Sequence, residues 1–300
     1  MKILVTGGGG FIGRNLTQKL IEEGHEVTIT TTGSEPDLKV HKVLYMSLEG
    51  IDWSYVGGQD VVFHQMANND TRCNDFQEMM RANFYGPIKL FIEAAEGGCK
   101  KFIYASSTAV YGNSPAPYTE DTTLDPLNYY ANSKSKFDKF AMQFAKERNV
   151  SVVGLRYCNV YGPGETQKGR RMSMVGQMMQ NILSNTPVSL FKDGNQKRDW
   201  VYVKDVVNAN LLAMNSDVSG GNIYNIGSGN CWTFNEVYEA IWREIELRGI
   251  QASKHPINWI DCSFSDSYQN HTECCIDKAR KELKYEPQYD LTAGISDYMK

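Results

Sequence analysis

A doubly wound parallel α/β sheet, joined by a smaller, interleaved α/β lobe, is the fold class this sequence predicts. Three observations carry it. Short apolar strand-like runs alternate with helical stretches through the first half, a glycine-rich turn links the first strand to the first helix, and the pattern changes after residue 160. Residues 2–6 are β-rich, residues 11–23 carry Ile12, Leu16 and Leu20 at helical spacing, and 27–31 are again β-branched. The runs 61–64, 102–106 and 151–155 read as buried strands. Helical stretches at 76–95 and 129–147 separate them, the second with Phe137, Ala141 and Phe144 on one face. Such alternation gives a parallel sheet covered on both sides. Beyond Tyr161-Gly162-Pro163, helices at 172–183, 206–214 and 234–245 mix with short strands at 188–191 and 222–226, and a tail of mixed character from about residue 256 ends in the stretch 291–299. No repeat, low-complexity tract or linker interrupts the chain.

The 300 residues suffice for one large or two modest hydrophobic cores. A net charge of only −4, with Lys and Arg scattered, argues against nucleic-acid and membrane-surface partners. The start, Met1 to Thr6, runs into glycines without an apolar signal-peptide region, and no stretch approaches the roughly 18 apolar residues of a membrane span. The seven Cys include no C-x-x-C pair and no His-rich ligand spacing, so neither a disulfide framework nor a metal is expected. The adjacent Cys274 and Cys275 read as buried or incidental thiols, with reactive thiols as the alternative. The default is a cytoplasmic protein.

Thr6-Gly7-Gly8-Gly9-Gly10-Phe11-Ile12-Gly13 follows the first strand and opens the first helix. Gly7 permits the tight turn, Gly10 lets backbone approach a pyrophosphate, and Gly13 lets helix and strand pack closely, with the helix N-terminus facing the negative charge. This points to dinucleotide binding on a Rossmann-type sheet. The predicted division is a dinucleotide-binding domain over 1–160, completed by parts of 195–227, and a mainly substrate-binding portion over 161–300. The acidic residue that usually holds the adenosine ribose hydroxyls is missing. The second strand ends Ile29-Thr30-Thr31-Thr32-Gly33, with the neutral Thr31 in its place, and Ser34 or Lys39 could donate to a 2′-phosphate. No Arg is near in sequence, and NAD and NADP both stay open.

Tyr130 and Lys134 lie four residues apart on one helical face. A phenol, with an ordinary pKa near ~10, is a poor base at neutral pH. An adjacent ammonium and a donated hydrogen bond favour its phenolate, and Ser107 at the end of a strand is the candidate donor. A Tyr-x-x-x-Lys spacing also arises by chance on solvated helices; the glycine loop and Ser107 are what give it weight.

These residues resemble the extended short-chain dehydrogenase/reductases, the group of nucleotide-sugar epimerases and dehydratases. The matching blocks are the glycine turn, Ser106-Ser107-Thr108-Ala109-Val110-Tyr111-Gly112, Tyr130 with Lys134, and Arg156-Tyr157-Cys158-Asn159-Val160-Tyr161-Gly162-Pro163. Arg198-Asp199-Trp200-Val201-Tyr202-Val203 and Tyr224-Asn225-Ile226-Gly227 complete them, in the family's order. The resemblance implies a nicotinamide cofactor held by Gly7, Gly10, Phe11, Ile12, Gly13, Thr31 and Lys134. It implies that Asn83 helps position the cofactor helix, that Asn159 and Thr108 contact substrate, and that Arg198 binds a sugar-nucleotide diphosphate. A surface ion pair with Asp199 or another carboxylate is the plainer alternative for Arg198.

Family dehydratases carry an Asp-Glu pair where this chain has Thr108 and Ala109, and epimerase-reductases a Cys where it has Ser107 or Thr108. Both subclasses are therefore disfavoured. Gly162-Pro163-Gly164-Glu165-Thr166-Gln167-Lys168-Gly169 looks like the ADP-glycero-manno-heptose 6-epimerases, in which a Lys before Gly is a second acid/base; Lys168 lies 38 positions after Tyr130. Leu190 to Gly194, Lys197 to Asp199, and Tyr268-Gln269 with Thr272 fit the same group, with Tyr268 implied at the substrate. Arg170-Arg171 and Ser267 depart from it. The expectation is a two-base nucleotide-sugar epimerase acting by transient oxidation, with Ser107, Tyr130, Lys134 and Lys168 catalytic. A sugar-nucleotide dehydrogenase or reductase, a 4-epimerase, and a non-catalytic dinucleotide-binding regulator are the alternatives. The family also implies a homo-oligomer, built through 76–95 and 129–147.

Overall fold

The computed structural model describes residues 1–33, 37–45, 56–148, 150–262 and 268–300; Ser34 and Ser267 lie outside them. In chain order the strands are β1 (Lys2–Thr6), β2 (Glu26–Thr31), β3 (Lys42–Tyr45), β4 (Val61–His64), β5 (Lys101–Ser107), β6 (Ser151–Tyr157) and β7 (Asn159–Tyr161). They continue as β8 (Ser189–Phe191), β9 (Lys197–Arg198), β10 (Trp200–Tyr202), β11 (Gly221–Ile226), β12 (Trp232–Thr233), β13 (Asn258–Ile260) and β14 (His271–Thr272). The helices are α1 (Phe11–Glu22), α2 (Phe76–Met80), α3 (Gly86–Glu96), α4 (Tyr129–Arg148), α5 (Met174–Leu183), α6 (Val203–Asn215), α7 (Phe234–Leu247), α8 (Asp277–Leu283) and α9 (Leu291–Tyr298).

Seven strands form one sheet in the order β11-β6-β5-β4-β1-β2-β3, every pairing parallel. This is the doubly wound Rossmann arrangement, with strand order reversing beside β1. Side chains alternate between faces, as a strand's period of two requires. Ile3, Val5, Phe63, Ile103 and Leu155 join one buried cluster with Leu16 and Leu20 of α1 and Val206 of α6. Leu4, Val62, Phe102, Tyr104 and Val152 join another with Phe91 of α3 and Phe137, Ala141 and Phe144 of α4. A third cluster, with Val175 and Met178 of α5, Trp200, Val237 and Ile241 of α7 and Ile295 of α9, holds the smaller lobe. The chain interleaves, since β11 returns from beyond residue 220 to pair with β6.

The stretch expected as one helix over 76–95 carries a wide turn at Arg81–Tyr85. Gly86 N–H bonds back to Arg81 O, five residues away, and the following Pro87 has no N–H to continue a regular ladder. The edge strand β3, with exposed ends and no alternating pattern, and the short helix α8 have no counterpart in the sequence reading. Among the described residues, no helix is long and apolar enough to cross a membrane.

Candidate active site

The first wall of the site is built where β5 ends and α4 begins. Asn128 Oδ1 accepts the Ala131 N–H at 2.9 Å and starts α4, fixing Tyr130 in its first turn. Ser107 closes β5, and its Oγ accepts the Ala109 N–H at 3.2 Å. Lys134, one turn beyond Tyr130, is only 4% exposed, donates to Ala105 O at 2.7 Å, and lies 6.0 Å from the Tyr130 ring centroid. Asp138, a further turn along the same face, accepts from Tyr104 Oη and Arg156 Nε, both at 3.0 Å. Arg156 also donates to Tyr111 Oη at 2.8 Å, so a satisfied polar network backs the helix.

Burial pushes the Lys134 ammonium down to about 8, against the pull of the Asp138 charge. Burial likewise pushes the Tyr130 phenol above its ordinary value, while a hydrogen bond from Ser107 draws it down and Asp138 pushes it up. From sequence, the adjacent ammonium is expected to lower the phenol. In the folded protein desolvation is the larger effect and that ammonium is engaged by the Ala105 carbonyl.

The second wall comes from the turn at 163–171. Glu165, fully buried, accepts from Ser173 N at 2.6 Å, Ser173 Oγ at 2.8 Å and Gly162 N at 3.2 Å. Asn15 donates to Pro163 O at 3.0 Å and Gln167 to Gly9 O at 3.1 Å, tying the turn to the glycine loop. Lys168 lies 5.1 Å over the Phe11 ring, and burial lowers its ammonium against the attraction of Glu165. Arg170 pairs with Asp70 at 2.8 Å and Arg171 donates to Asn69 at 3.2 Å, so the two arginines that departed from the family pattern strap the turn to the loop after β4.

Both walls line one cleft of about 1050 Å³, together with Thr108, Asn159, Arg198 and Tyr268. Arg198 is 7% exposed, lying 5.6 Å from the Phe234 ring and 4.9 Å from Tyr268, and donates to Lys197 O. Asp199 turns the other way, accepting from Ser228 N at 2.7 Å, and among the described residues Arg198 has no carboxylate partner and is flanked by two aromatic rings instead. Asn159 donates to Asp199 O and Thr272 Oγ1, and Thr108 to Tyr157 O. Burial raises the Cys274 thiol, while at Cys275 a backbone hydrogen bond at Asp277 that lowers the thiol is outweighed by desolvation and the Asp277 and Glu120 charges; both shifts oppose reactivity.

The glycine turn fits a dinucleotide. Gly7 has φ +69°, and a Cβ on Gly13 would lie 2.1 Å from Gly7 O. The turn is therefore closed to side chains, and the α1 N-terminus carries no side-chain cap, leaving its N–H groups for a phosphate. Thr31, buried at the end of β2, accepts the Gly33 N–H at 3.2 Å. Arg14 of α1 reaches the loop after β2, donating to Asp37 O at 3.4 Å; sequence distance hid this cation. Asn83, in the wide turn, clasps Asn68 through its backbone N and O and donates to Ser133 Oγ at 3.2 Å. It braces the loop after β4 against α4.

A Rossmann sheet with an open glycine cradle and a Ser, Tyr and Lys cluster at its strand ends defines a dinucleotide-dependent enzyme of the short-chain dehydrogenase/reductase type. Residues 3–227 match the NAD dependent epimerase/dehydratase family, and the chain belongs to that family. It is 31% identical to an ADP-L-glycero-D-manno-heptose-6-epimerase of Brachyspira hyodysenteriae, over 99% of this chain and 96% of the relative. The solved ADP-L-glycero-D-manno-heptose-6-epimerase of Helicobacter pylori superposes with a TM-score of 0.87 at 31% identity, covering 99% of this chain and 94% of that one. The UDP-glucose 4-epimerase of Thermotoga maritima, solved with UDP-glucose, gives 0.89 at 29% identity over 99% and 97%.

Proposed function

We propose that the chain inverts one sugar carbon of a nucleotide-activated sugar with two acid–base groups, Tyr130 and Lys168, on two walls of one cleft. The chain is a nucleotide-sugar epimerase, an isomerase. The observation that carries the two-base reading is that Ser107, Tyr130 and Lys168, from three separate stretches, line the same cleft. Bound in the glycine cradle, a nicotinamide dinucleotide supplies a hydride acceptor that is regenerated within the same turnover. Ser107 holds the Tyr130 phenol oxygen, and Lys134 steadies it while contributing to the ribose site. Tyr130 takes the sugar hydroxyl proton as that carbon becomes a ketone. After the ketone turns, Lys168 supplies the proton on the other face, and burial, which lowers its ammonium below the ordinary lysine value, makes it the readier proton donor. Arg198, clamped between Phe234 and Tyr268, pairs with the diphosphate, and Asn159 and Thr108 meet the sugar. Gly7, Gly10, Phe11, Ile12, Gly13, Thr31 and Asn83 form or brace the dinucleotide site.

Lys168 favours an ADP-activated heptose, the sugar named for the Brachyspira and Helicobacter relatives. UDP-sugar 4-epimerisation, the activity named for the Thermotoga relative, is the second reading. A neutral Thr31 at the end of β2, with Arg14 reaching the loop that follows, admits a 2′-phosphate, so NADP is accepted along with NAD. The division at residue 160 assigns cofactor binding to the main sheet and substrate binding to the later lobe. Phe76, Tyr85 and Tyr129 are exposed on the helices at 76–96 and on α4, which supports a homo-oligomer through that face. A cytoplasmic site of action fits this chemistry.

Mass spectrometry of the purified protein's bound small molecules, paired with an epimerisation assay lacking added cofactor, tests the reading. Retained dinucleotide and interconverted epimers are expected. Stoichiometric consumption of added dinucleotide would replace the epimerase by a dehydrogenase.

A further inference from the structure

Folding brings one distant cysteine against a histidine and a glutamate that lie two residues apart in sequence, three metal-type ligands in all. Cys231 directly precedes β12, His271 opens β14, and Glu273 follows it. Cys231 Sγ lies 3.6 Å from His271 Nε2 and 3.3 Å from Glu273 Oε2, and the latter two atoms are 2.8 Å apart. We propose that Cys231, His271 and Glu273 bind a borderline-soft divalent cation, zinc by preference, with solvent completing the coordination.

The distances bear on this directly. Zn–S near 2.3 Å and Zn–N near 2.0–2.1 Å at a tetrahedral angle set sulfur and nitrogen roughly 3.6 Å apart, sulfur and oxygen roughly 3.5 Å, and nitrogen and oxygen roughly 3.3 Å. The first separation matches as it stands. The carboxylate must withdraw from the imidazole by roughly half an ångström, a small adjustment for a half-buried side chain beside an exposed one. A thiolate with an imidazole selects zinc over magnesium or calcium, which prefer oxygen alone.

The plainer account is a hydrogen-bonded surface trio in which the thiol donates to Glu273. That interaction, after desolvation, contributes to the thiol standing at about 11. Metal binding replaces it: the thiol proton passes to water, and sulfur, the imidazole lone pair and a carboxylate oxygen each form one bond to the ion. Lys197 faces the thiol favourably to this deprotonation and Asp199 opposes it.

The placement links the ion to the cleft. β12 and β14 flank β9, which carries Arg198, in one three-stranded sheet. An ion joining the ends of the two outer strands braces the strand between them, and with it the clamp around Arg198.

Untagged, chelator-stripped protein titrated with Co²⁺ and then Zn²⁺ decides the matter. One ion per chain at micromolar or tighter affinity is expected, with a sulfur-to-cobalt charge-transfer band displaced by Zn²⁺ and a raised unfolding temperature. Cys231→Ser should abolish the band and His271→Phe should weaken binding at least tenfold, both with unchanged circular dichroism. No binding below millimolar ion, or a band that persists in Cys231→Ser, would overturn the proposal. Cys73, Cys262 and Cys275, half-exposed elsewhere, are the sulfurs such a persistent band would implicate.

Discussion

The two walls of the cleft are held in different ways. Ser107, Tyr130 and Lys134 project from the end of a central strand and the first turns of a 20-residue helix, with a buried polar network behind them. Lys168 projects from a short turn whose position depends on one buried carboxylate, Glu165, and on ties to the glycine loop and to Asp70. Regular structure positions the first wall. Tertiary contacts position the second. Changes at the first should therefore remove chemistry outright, while changes at the second should be graded according to how the turn is anchored.

The largest effect is expected from Tyr130→Phe, which removes the proton acceptor of the first step and should lower turnover by about 10²–10⁴-fold with the fold intact. Steady-state epimerisation checks it, and a loss under tenfold would move the base elsewhere. Glu165→Ala strands the Ser173 and Gly162 donors and should destabilise the protein by about 1–3 kcal/mol, read by urea unfolding. It should also reduce epimerisation while dinucleotide affinity stays near wild type.

Lys134 gives the first wall a pH signature. Its folded-state pKa of about 8 lies below its ordinary 10.5. Between those values the unfolded chain holds a proton that the folded one has released, so this group adds stability as pH rises through that window. Cofactor-free wild-type protein should gain stability relative to Lys134→Met between the two values, by at most about 3 kcal/mol. A flat difference would mean that Lys134 is not desolvated. Arg14→Ala should weaken NADP binding about tenfold and leave NAD within about twofold, by fluorescence titration. The smallest effect belongs to Arg170→Ala, which breaks an exposed ion pair worth about 0–1 kcal/mol and should change KM less than about fivefold.

The same contrast governs what was legible beforehand. The glycine turn and the Tyr130 to Lys134 spacing are local, so a strand followed by a helix reveals them. The continuous apolar runs of β1, β4, β5 and β6 reveal the sheet for the same reason, since parallel strands are buried on both faces. Arg14 beside the loop after β2, Glu165 as an anchor, and the meeting of Cys231 with His271 and Glu273 are products of tertiary folding. No spacing announces them. Asn83 shows the intermediate case: a resemblance marks it, but only its partners Asn68 and Ser133 show which segment it braces. The phenol of Tyr130 shows another, since the competition between its neighbours and desolvation depends on a burial that sequence does not display.

The two-base account stands or falls on Lys168→Met compared with Tyr130→Phe, each incubated with an ADP-activated heptose. Oxidation of the sugar is followed in a single turnover by the absorbance of reduced dinucleotide, and epimerisation by product analysis. Lys168→Met should retain the first oxidation within a few-fold of wild type while losing about 10²-fold or more of epimerisation, and Tyr130→Phe should lose both. Wild-type epimerisation by Lys168→Met, or loss of its first oxidation as complete as in Tyr130→Phe, would contradict the assignment.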